Sequence, residues 1–249
     1  MLQIQALSKH YENQQVVNAV SFTVNKGEIL AIVGESGSGK TTLLNMISGT
    51  IRPDSGALVL DNQIIDLYFN RLIRELPDIK LVPQDYRLKP DFKIWENIDL
   101  ALTEYTAEYR QKRVAYLLEL CGIAQIKDKK PREASGGEKQ RTAIARSIAD
   151  EPLVLLLDEP FSNLDSINRQ HLRNQLVTVI KKENIACVFV THDMIEALLV
   201  ADKVAVMHKG NLLKIATPDE IFHEQENAYV QQFVQSAIEP LNAFRAKFQ

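Results

Sequence analysis

The residues with the clearest chemistry form a glycine-rich loop, Gly34–Thr41, with the sequence Gly-Glu-Ser-Gly-Ser-Gly-Lys-Thr. The loop fits G-x-x-x-x-G-K-[ST], in which backbone N–H groups surround phosphate oxygens, a lysine reaches the β- and γ-phosphates and a hydroxyl binds Mg²⁺. We therefore expect Lys40 and Thr41 to hold a triphosphate and its metal ion. The predicted phosphate-binding residues are Gly34, Ser36, Gly37, Ser38, Gly39, Lys40, Thr41 and Thr42.

Two other glycine patterns do not fit this loop. The dinucleotide pattern G-x-G-x-x-G needs a glycine where Thr42 stands, and the nucleophile elbow G-x-S-x-G needs one where Ser38 stands. A strand-like run, Ile29–Val33, precedes the loop and a helical pattern over 43–47 follows it. This strand–loop–helix context is the one that phosphate binding requires.

A pair of carboxylates follows the apolar run Val154–Leu157. An unbroken aliphatic run is typical of a strand covered on both faces, and open α/β sheets bind ligands at the carboxyl ends of their strands. We expect Asp158 to hold Mg²⁺ through water beside Thr41, and Glu159 to polarise a water for in-line attack on the γ-phosphate. Taken alone, the pair could simply mark the solvated end of a strand, but the phosphate loop upstream favours a site.

A third segment, Ser135–Arg141, has the sequence Ser-Gly-Gly-Glu-Lys-Gln-Arg. Ser135 and Glu138 have the S-x-x-E spacing of a capping box at the start of a helix. A capped helix start that contains two glycines also presents N–H groups to an anion. The two interpretations are compatible.

Together these three segments resemble the nucleotide-binding subunit of an ABC transporter, and the similarity runs over nearly the whole chain. The resemblance implies ATP and Mg²⁺ as cofactors and a head-to-tail dimer, in which Ser135 and Gly137 face the γ-phosphate of ATP bound by the opposite subunit. Two positions depart from the family pattern: Ala134 replaces the usual leucine, and Glu138 replaces the usual glutamine.

The resemblance also assigns roles to residues outside the three segments. Gln84 matches a loop glutamine that senses Mg²⁺ and water and links to the membrane partner, and His192 matches a histidine that contacts the γ-phosphate. Tyr11 matches an aromatic residue that stacks on adenine, and the loop 162–165 (Ser-Asn-Leu-Asp) matches one that crosses the dimer interface. The implied catalytic residues are Glu159, His192 and Gln84, and the implied magnesium site comprises Thr41, Gln84 and Asp158.

The elements that must position these residues alternate between strand and helix. Strand patterns cover 2–6, 20–24, 29–33, 56–65, 79–82, 153–157, 186–190 and 204–207, and helical patterns cover 92–149, 167–180 and 194–199. Such alternation predicts right-handed crossovers and a mainly parallel sheet. We expect an α/β P-loop NTPase core with an N-terminal antiparallel β part and an inserted helical subdomain. The predicted ATPase domain is 1–236, with its core at 1–85 and 151–236, its helical subdomain at about 86–150, and a tail at 237–249.

The amino-acid composition excludes several other classes of protein. The chain has 249 residues, a net charge of −3 and a hydrophobic fraction of 45%, values that exclude intrinsic disorder and argue against a nucleic-acid partner. No apolar stretch approaches the roughly 20 residues of a membrane span, and no signal peptide is evident. We therefore expect a cytoplasmic protein that reaches the cytoplasmic face of the membrane through a partner.

The expected function is ATP hydrolysis that drives transport through permease subunits. The apolar pattern from Pro218 onward is similar to the tail of importer subunits, so we expect import, with a homodimer or a related ATPase subunit and a solute-binding protein as further partners. We expect no regulatory barrel domain after about Phe233. Export, lipoprotein release, and a soluble ABC-class role in DNA repair or translation are the alternatives.

Overall fold

A computed structural model describes residues 1–12, 14–65, 76–162, 164–224 and 226–247. Within these ranges, side chains are described up to Glu239. Asn163, in the predicted interface loop, and residues 248–249 of the predicted tail lie outside this set. The strands are β1 (Leu2–Tyr11), β2 (Gln14–Val24), β3 (Ile29–Val33), β4 (Ser55–Leu60), β5 (Gln63–Ile65), β6 (Ile79–Val82), β7 (Val154–Asp158), β8 (Ala186–Thr191), β9 (Lys203–His208) and β10 (Asn211–Ala216).

The helices alternate with the strands of the larger sheet. They are α1 (Lys40–Ile47), α2 (Ile94–Asp99), α3 (Ala107–Leu120), α4 (Gly136–Ser147), α5 (Ser166–Glu183), α6 (Met194–Val200), α7 (Pro218–Phe222) and α8 (Ala228–Lys247). Short 3₁₀ turns lie at Leu100–Leu102, Ala124–Ile126 and Pro131–Glu133. The predicted helical stretch between β6 and β7 is confirmed. Among the described helices, none is both long enough and apolar enough to cross a membrane.

The larger sheet has the strand order β10-β9-β3-β8-β7-β6 and is parallel except for β10. Every residue of β3 and of β8 is buried. Consecutive side chains point to opposite faces: Ala31 and Phe189 pack among the helices, whereas Ile32 and Val188 pack toward the smaller sheet. The unbroken apolar runs of the sequence are thus explained by a sheet covered on both faces.

The smaller sheet is antiparallel, with the order β2-β1-β4-β5, as the predicted N-terminal β part requires. The strand predicted over 56–65 is wrong in one respect, because it is two strands joined by a turn. Asp61 and Asn62 both have positive φ, 46° and 67°. Two successive left-handed residues form the tight turn that suits a two-residue hairpin, and Asp and Asn tolerate that conformation better than most residues.

The C-terminal part contains elements that the sequence analysis did not predict. β10 pairs antiparallel with β9, and a register shift between Leu212 and Lys214 interrupts the pairing, so its side chains do not alternate cleanly. α7 begins at a capping box formed by Thr217 and Glu220. The apolar residues predicted only as a tail belong to α7 and α8, where Ile221 and Val230 are fully buried.

The register of the parallel strands brings the predicted site to one edge. Val33 pairs with Thr191, and Asp158 pairs with Val190. The phosphate loop, the carboxylate pair and the segment that contains His192 therefore all begin at the carboxyl ends of neighbouring strands. This edge is where open α/β sheets bind ligands.

Candidate functional site

The phosphate loop leaves β3 and enters α1 through two glycines that no other residue could replace without a shift. A Cβ at Gly34 would lie 2.1 Å from the carbonyl oxygen of Met207. Gly39 has φ of 100° and a Cβ there would lie 2.3 Å from the carbonyl oxygen of Val16. The loop is therefore held between the end of β9 and the β1–β2 hairpin.

The other predicted loop residues differ in exposure. Ser36, Gly37 and Thr41 are exposed, whereas Ser38 is buried and its carbonyl oxygen accepts a hydrogen bond from the N–H of Gly210 at 3.0 Å. Thr42, half-buried, lies in the first turn of α1. The loop therefore has an exposed tip and a buried base.

Lys40 lies under the loop, with only 6% of its surface exposed. Its Nζ donates to the carbonyl oxygens of Gly34 at 2.8 Å and Glu35 at 2.9 Å. Burial lowers the pKa of Lys40, and the carboxylates of Glu159 and Asp158 act in the opposite direction. Lys40 therefore lies at the base of the loop and near the carboxylate pair, where the phosphate-loop pattern places its lysine.

Thr41 and Asp158 meet as the sequence predicted. The Thr41 hydroxyl donates to Asp158 Oδ1 at 3.3 Å. Burial raises the pKa of Asp158, while the hydrogen bond from Thr41 lowers it. Hydroxyl and carboxylate oxygens are the ligand types of Mg²⁺, which usually takes one or two protein ligands and completes its shell with water and substrate phosphates. The Thr41–Asp158 pair supplies both ligand types and fits this role.

Glu159 follows β7 in a left-handed conformation, with φ of 49°. Such strain in a non-glycine residue costs about 1–3 kcal/mol and persists only where its surroundings fix it. Here the N–H of Glu159 donates to the carbonyl oxygen of Val190 on the neighbouring strand at 3.0 Å. His192 Nδ1 lies 2.8 Å from Glu159 Oε1. The sequence predicted both residues but not this contact between them.

Gln84 follows β6 and reaches the same edge through a serine. Its Nε2 donates to Ser162 Oγ at 3.2 Å, and Ser162 Oγ donates to the carbonyl oxygen of Glu159 at 3.0 Å. The sequence predicts Ser162 only as part of an interface loop. Its position three residues after Glu159 was the available signal, because a hydroxyl at that spacing can bond back to the preceding turn.

Tyr11 lies at the tip of the β1–β2 hairpin, paired with Gln14, and 45% of its surface is exposed. Lys9 Nζ is 5.5 Å from the centre of the Tyr11 ring. The same hairpin contacts the phosphate loop, because Val16 packs against Gly39. An exposed aromatic face is thus presented by the element that borders the loop, as adenine stacking would require.

The predicted signature residues lie at the start of α4. Glu138 N–H donates to Ser135 Oγ at 3.3 Å, and Ser135 N–H donates to Glu138 Oε2 at 2.7 Å, so the predicted capping box is confirmed. Burial opposes ionisation of Glu138, but the bonds from Ser135 outweigh it and lower its pKa. Gly137 is buried, and a Cβ there would lie 3.3 Å from Asn168 Oδ1. Within the described part of the chain, no hydrogen bond or ion pair joins Ser135 or Gly137 to the phosphate loop.

The fold and this edge are those of the P-loop NTPase fold class. Residues 17–162 match the ABC transporter family, and the chain belongs to that family. The predicted family and fold class are therefore confirmed.

Curated relatives and solved structures agree with this assignment. The xylose/arabinose import ATP-binding protein XacJ of Haloferax volcanii is 37% identical over 94% of this chain and 61% of its own length. The putrescine transport ATP-binding protein PotG of Escherichia coli is 36% identical over 95% of this chain and 62% of its own length. The chain thus spans about three fifths of these relatives.

Two solved structures share the fold over most of the chain. CbiO1 from Clostridium perfringens, part of the ABC transporter complex CbiONQ, is 30% identical with a TM-score of 0.83 and covers 98% of both chains. The ATP-binding cassette MJ0796, in a dimeric post-hydrolysis state bound to ADP and Pi, is 28% identical with a TM-score of 0.73 and covers 88% of this chain and 99% of its own.

Proposed function

We propose that this chain is the ATP-binding subunit of an ABC importer and hydrolyses ATP to drive solute transport. The observation that carries the proposal is the assembled strand edge, where Lys40, the Thr41–Asp158 pair and the Glu159–His192 pair meet. In the solved relative MJ0796, a cassette of the same fold binds ADP and Pi. The location of these residues at one strand edge and their chemical types therefore both support ATP hydrolysis.

Each residue has a proposed part in hydrolysis. Backbone N–H groups of the loop and Lys40 bind the β- and γ-phosphates, and Tyr11 stacks on the adenine. Thr41, Asp158 and Gln84 would hold Mg²⁺, which when bound neutralises charge on the phosphate oxygens. Glu159 orients the attacking water and takes its proton.

His192 and Gln84 prepare Glu159 for that work. The 2.8 Å contact with His192 holds one carboxylate oxygen of Glu159 at the strand edge. Gln84 acts on the backbone of Glu159 through Ser162. Gln84 follows β6. A movement of the segment after Gln84 would therefore shift Glu159, the proposed general base. We propose this route for communication between the nucleotide and the membrane partner.

The signature residues are proposed to act on a second copy of the chain or on a related ATPase subunit. Among the described residues, no hydrogen bond or ion pair joins Ser135 or Gly137 to the phosphate loop of the same chain, and the relative MJ0796 forms a dimer. In a two-fold dimer, each patch contacts its counterpart reciprocally, so two composite sites form together. ATP binds the closed dimer better than the open one, and this difference supplies the work.

The membrane partner is proposed to dock beside Gln84. A cleft of about 370 Å³ lies between β6 and α4, and its lining includes Ile79, Arg87, Lys89, Leu100 and Arg146. Arg146 stiffens it by donating to the carbonyl oxygens of Arg87 at 2.7 Å and Tyr86 at 2.9 Å. We propose that permease subunits dock here at the cytoplasmic face of the membrane, and that a solute-binding protein delivers the solute.

The corresponding domain division is also a proposal: a core at 1–85 and 151–236, a helical subdomain at about 86–150, and a tail at 237–249. The helical subdomain carries the signature and one wall of the cleft, so it would connect the permease to the partner's nucleotide. The relatives XacJ and PotG are named for import and transport, which supports the direction of transport proposed for this chain.

The variant Glu159→Gln tests the proposal. The wild-type chain should hydrolyse MgATP, whereas the variant should keep nucleotide binding, lose turnover by about 10²- to 10⁴-fold, and elute as a dimer with MgATP. Phosphate release and size-exclusion chromatography measure these outcomes. Glu104→Gln, an exposed carboxylate on the helical segment, is the matched control and should behave as wild type. Turnover by Glu159→Gln at the wild-type rate, or a wild-type chain that does not bind MgATP, would contradict the assignment.

A further inference from the structure

One arginine, Arg169, lies between the predicted interface loop at 162–165 and the segment that contains His192. Leu164 of the loop is buried, and its carbonyl oxygen accepts a hydrogen bond from Arg169 Nη2 at 3.1 Å. The same guanidinium faces α6, where Nη1 lies 3.8 Å from Asp193 Oδ2 and Nε lies 3.4 Å from Glu196 Oε1. Arg169 therefore connects the loop to the start of α6 by one hydrogen bond and two ion pairs.

Asp193, the residue after His192, fixes the start of α6. Its Oδ1 accepts hydrogen bonds from the N–H groups of Ile195 at 2.9 Å and Glu196 at 3.2 Å. Its own N–H donates to Thr191 Oγ1 at 3.0 Å, at the end of β8. Because Asp193 and His192 are consecutive in the chain, a shift of Asp193 would carry the backbone of His192 with it.

The interface loop is bonded to Glu159 at its other end. Ser162 Oγ donates to the carbonyl oxygen of Glu159 at 3.0 Å. Leu164, two residues later, is joined through Arg169 to the neighbour of His192. Both sides of the 2.8 Å contact between Glu159 and His192 are therefore connected to this loop, so a displacement of the loop would change that contact.

A second arginine, Arg173, shares the carboxylate of Glu196 but not the connection to the loop. The Glu196 side chain is 5% exposed, and Arg173 Nε lies 3.6 Å from its Oε2. A carboxylate as buried as this one needs charged partners. Among the described residues, Arg173 has no hydrogen bond or ion pair to Leu164 or Asp193, so its contact with Glu196 neutralises charge without reaching the loop.

We propose that Arg169 is a positioning residue for ATP hydrolysis, which links the position of the interface loop to the contact between His192 and Glu159. This inference rests on the proposed function, in which Glu159 is the general base. Since the loop is predicted to cross the dimer interface, a second copy of the chain that displaced Leu164 would act on this base through Arg169. Turnover would then depend on how the dimer closes around the loop.

The variant Arg169→Lys tests the inference on the full chain. Lysine keeps the positive charge but lacks the planar fork of arginine, so it cannot bond to Leu164 and face both carboxylates of α6 at the same time. We expect kcat for ATP hydrolysis to fall about fivefold, the size typical of one hydrogen bond. The Kd and KM for MgATP should change less than twofold, because among the described residues no bond joins Arg169 to the phosphate loop. Phosphate release and nucleotide titration measure these values.

Arg173→Lys is the matched control, because it makes the same change one turn further along α5 at a residue that pairs with the same carboxylate. It should change kcat less than twofold, and urea unfolding checks that both variants remain folded. Equal losses of kcat in the two variants would overturn the inference, since they would show a general effect of the charges around Glu196. An unchanged kcat for Arg169→Lys would overturn it as well.

A second measurement observes His192 in the absence of nucleotide. The chain has five histidines, so ring resonances can be followed by NMR after ¹⁵N labelling of histidine and assigned to His192 by their loss in His192→Gln. These resonances should shift in Arg169→Lys and stay unchanged in Arg173→Lys; a His192 signal that Arg169→Lys does not move contradicts the inference. A wild-type chain that fails to hydrolyse MgATP contradicts the proposed function instead, while the NMR comparison still tests the link to His192, so the two failures are distinguishable.

Discussion

The strand edge of the sheet and the start of α4 are built by different kinds of contact. At the strand edge, residues far apart in sequence touch: Thr41 meets Asp158 across 117 positions, and Glu159 meets His192 across 33. At the start of α4, the side chains of Ser135 and Glu138 each accept from the other residue's backbone N–H, three positions apart. The first region is assembled by the topology of the sheet, whereas the second is a local structure that any capped helix can form.

This difference bears on which parts of the proposed ATP site a single chain supplies. The strand edge gathers a cation, oxygen ligands and a carboxylate base within one fold. The helix start offers N–H groups but has no bond to that edge within the described chain. In the proposed dimer, the helix start of one chain would act on ATP at the strand edge of the other. The predictions below test this separation, beginning with the largest expected effect.

Complementation between two inactive variants should separate the regions most sharply. Lys40→Ala removes the loop cation, and Gly137→Asp places a carboxylate at the helix start, so each alone should lose at least about 100-fold in ATP turnover. In an equimolar mixture, half of the dimers contain one chain of each kind. Each of these has one site with both defects and one with neither, so about a quarter of wild-type turnover should return. Phosphate release from the mixture measures this recovery.

The matched control mixes Lys40→Ala with Glu159→Gln. Both substitutions affect the strand edge, so each site of the mixed dimer keeps one defect and no activity should return. Recovery in this control, or none in the first mixture, would show that the helix start does not act on the opposite subunit.

The attachment of the helical segment to the core should give the next largest effect. Arg113 on α3 donates to the carbonyl oxygens of Ile148 at 2.8 Å and Ala149 at 3.1 Å, and pairs with Glu183 at the end of α5. The Arg113 and Glu183 side chains are 9% and 8% exposed. Since removing one member leaves a buried charge without its partner, Arg113→Met should lower the free energy of unfolding by about 3 kcal/mol in urea denaturation.

Lys112→Met is the control for this pair, because Lys112 forms an exposed ion pair with Glu108 one position away. It should cost at most about 0.5 kcal/mol. Adding Glu183→Leu to Arg113→Met should recover much of the loss, because the uncompensated carboxylate is then gone. Equal effects of Arg113→Met and Lys112→Met would show that the helical segment does not depend on this buried pair.

The sequence predicted the strand edge better than its internal contacts, and the reason is physical. β3 was predicted with correct bounds because an apolar run buried on both faces has a strong local signal. The bounds of β6, a half-buried strand at the sheet edge, were also predicted correctly. The meeting of Thr41 and Asp158 followed from the rule that parallel strands end at one edge. The Glu159–His192 pair and the bridge through Ser162 have no periodic signal, since each depends on the exact position of loops that are distant in sequence. The capping box of Ser135 and Glu138 was predicted from its spacing, whereas the role of this segment at a second subunit came only from the family resemblance.

The smallest predicted effect concerns Glu138, where the capping box replaces the usual glutamine with a charged residue. Its pKa is lowered in the folded chain, so its ionised form stabilises folding above the unfolded carboxyl pKa of about 4.3, and this contribution is lost as pH falls through the folded value. Glu138→Gln should therefore lower the free energy of unfolding by about 0.5–1 kcal/mol at pH 7 and by less at pH 4, measured by urea unfolding at both pH values.

The control is Glu133→Gln, at a similar capping box at the 3₁₀ turn Pro131–Glu133, which shows how much any such box contributes. If Glu138→Gln also lowers the KM for MgATP while Glu133→Gln does not, the carboxylate at the helix start competes with phosphate. An unchanged KM would show that Glu138 only caps the helix and does not affect nucleotide binding. The two regions would then differ in how they are built, with no effect of this charge on ATP.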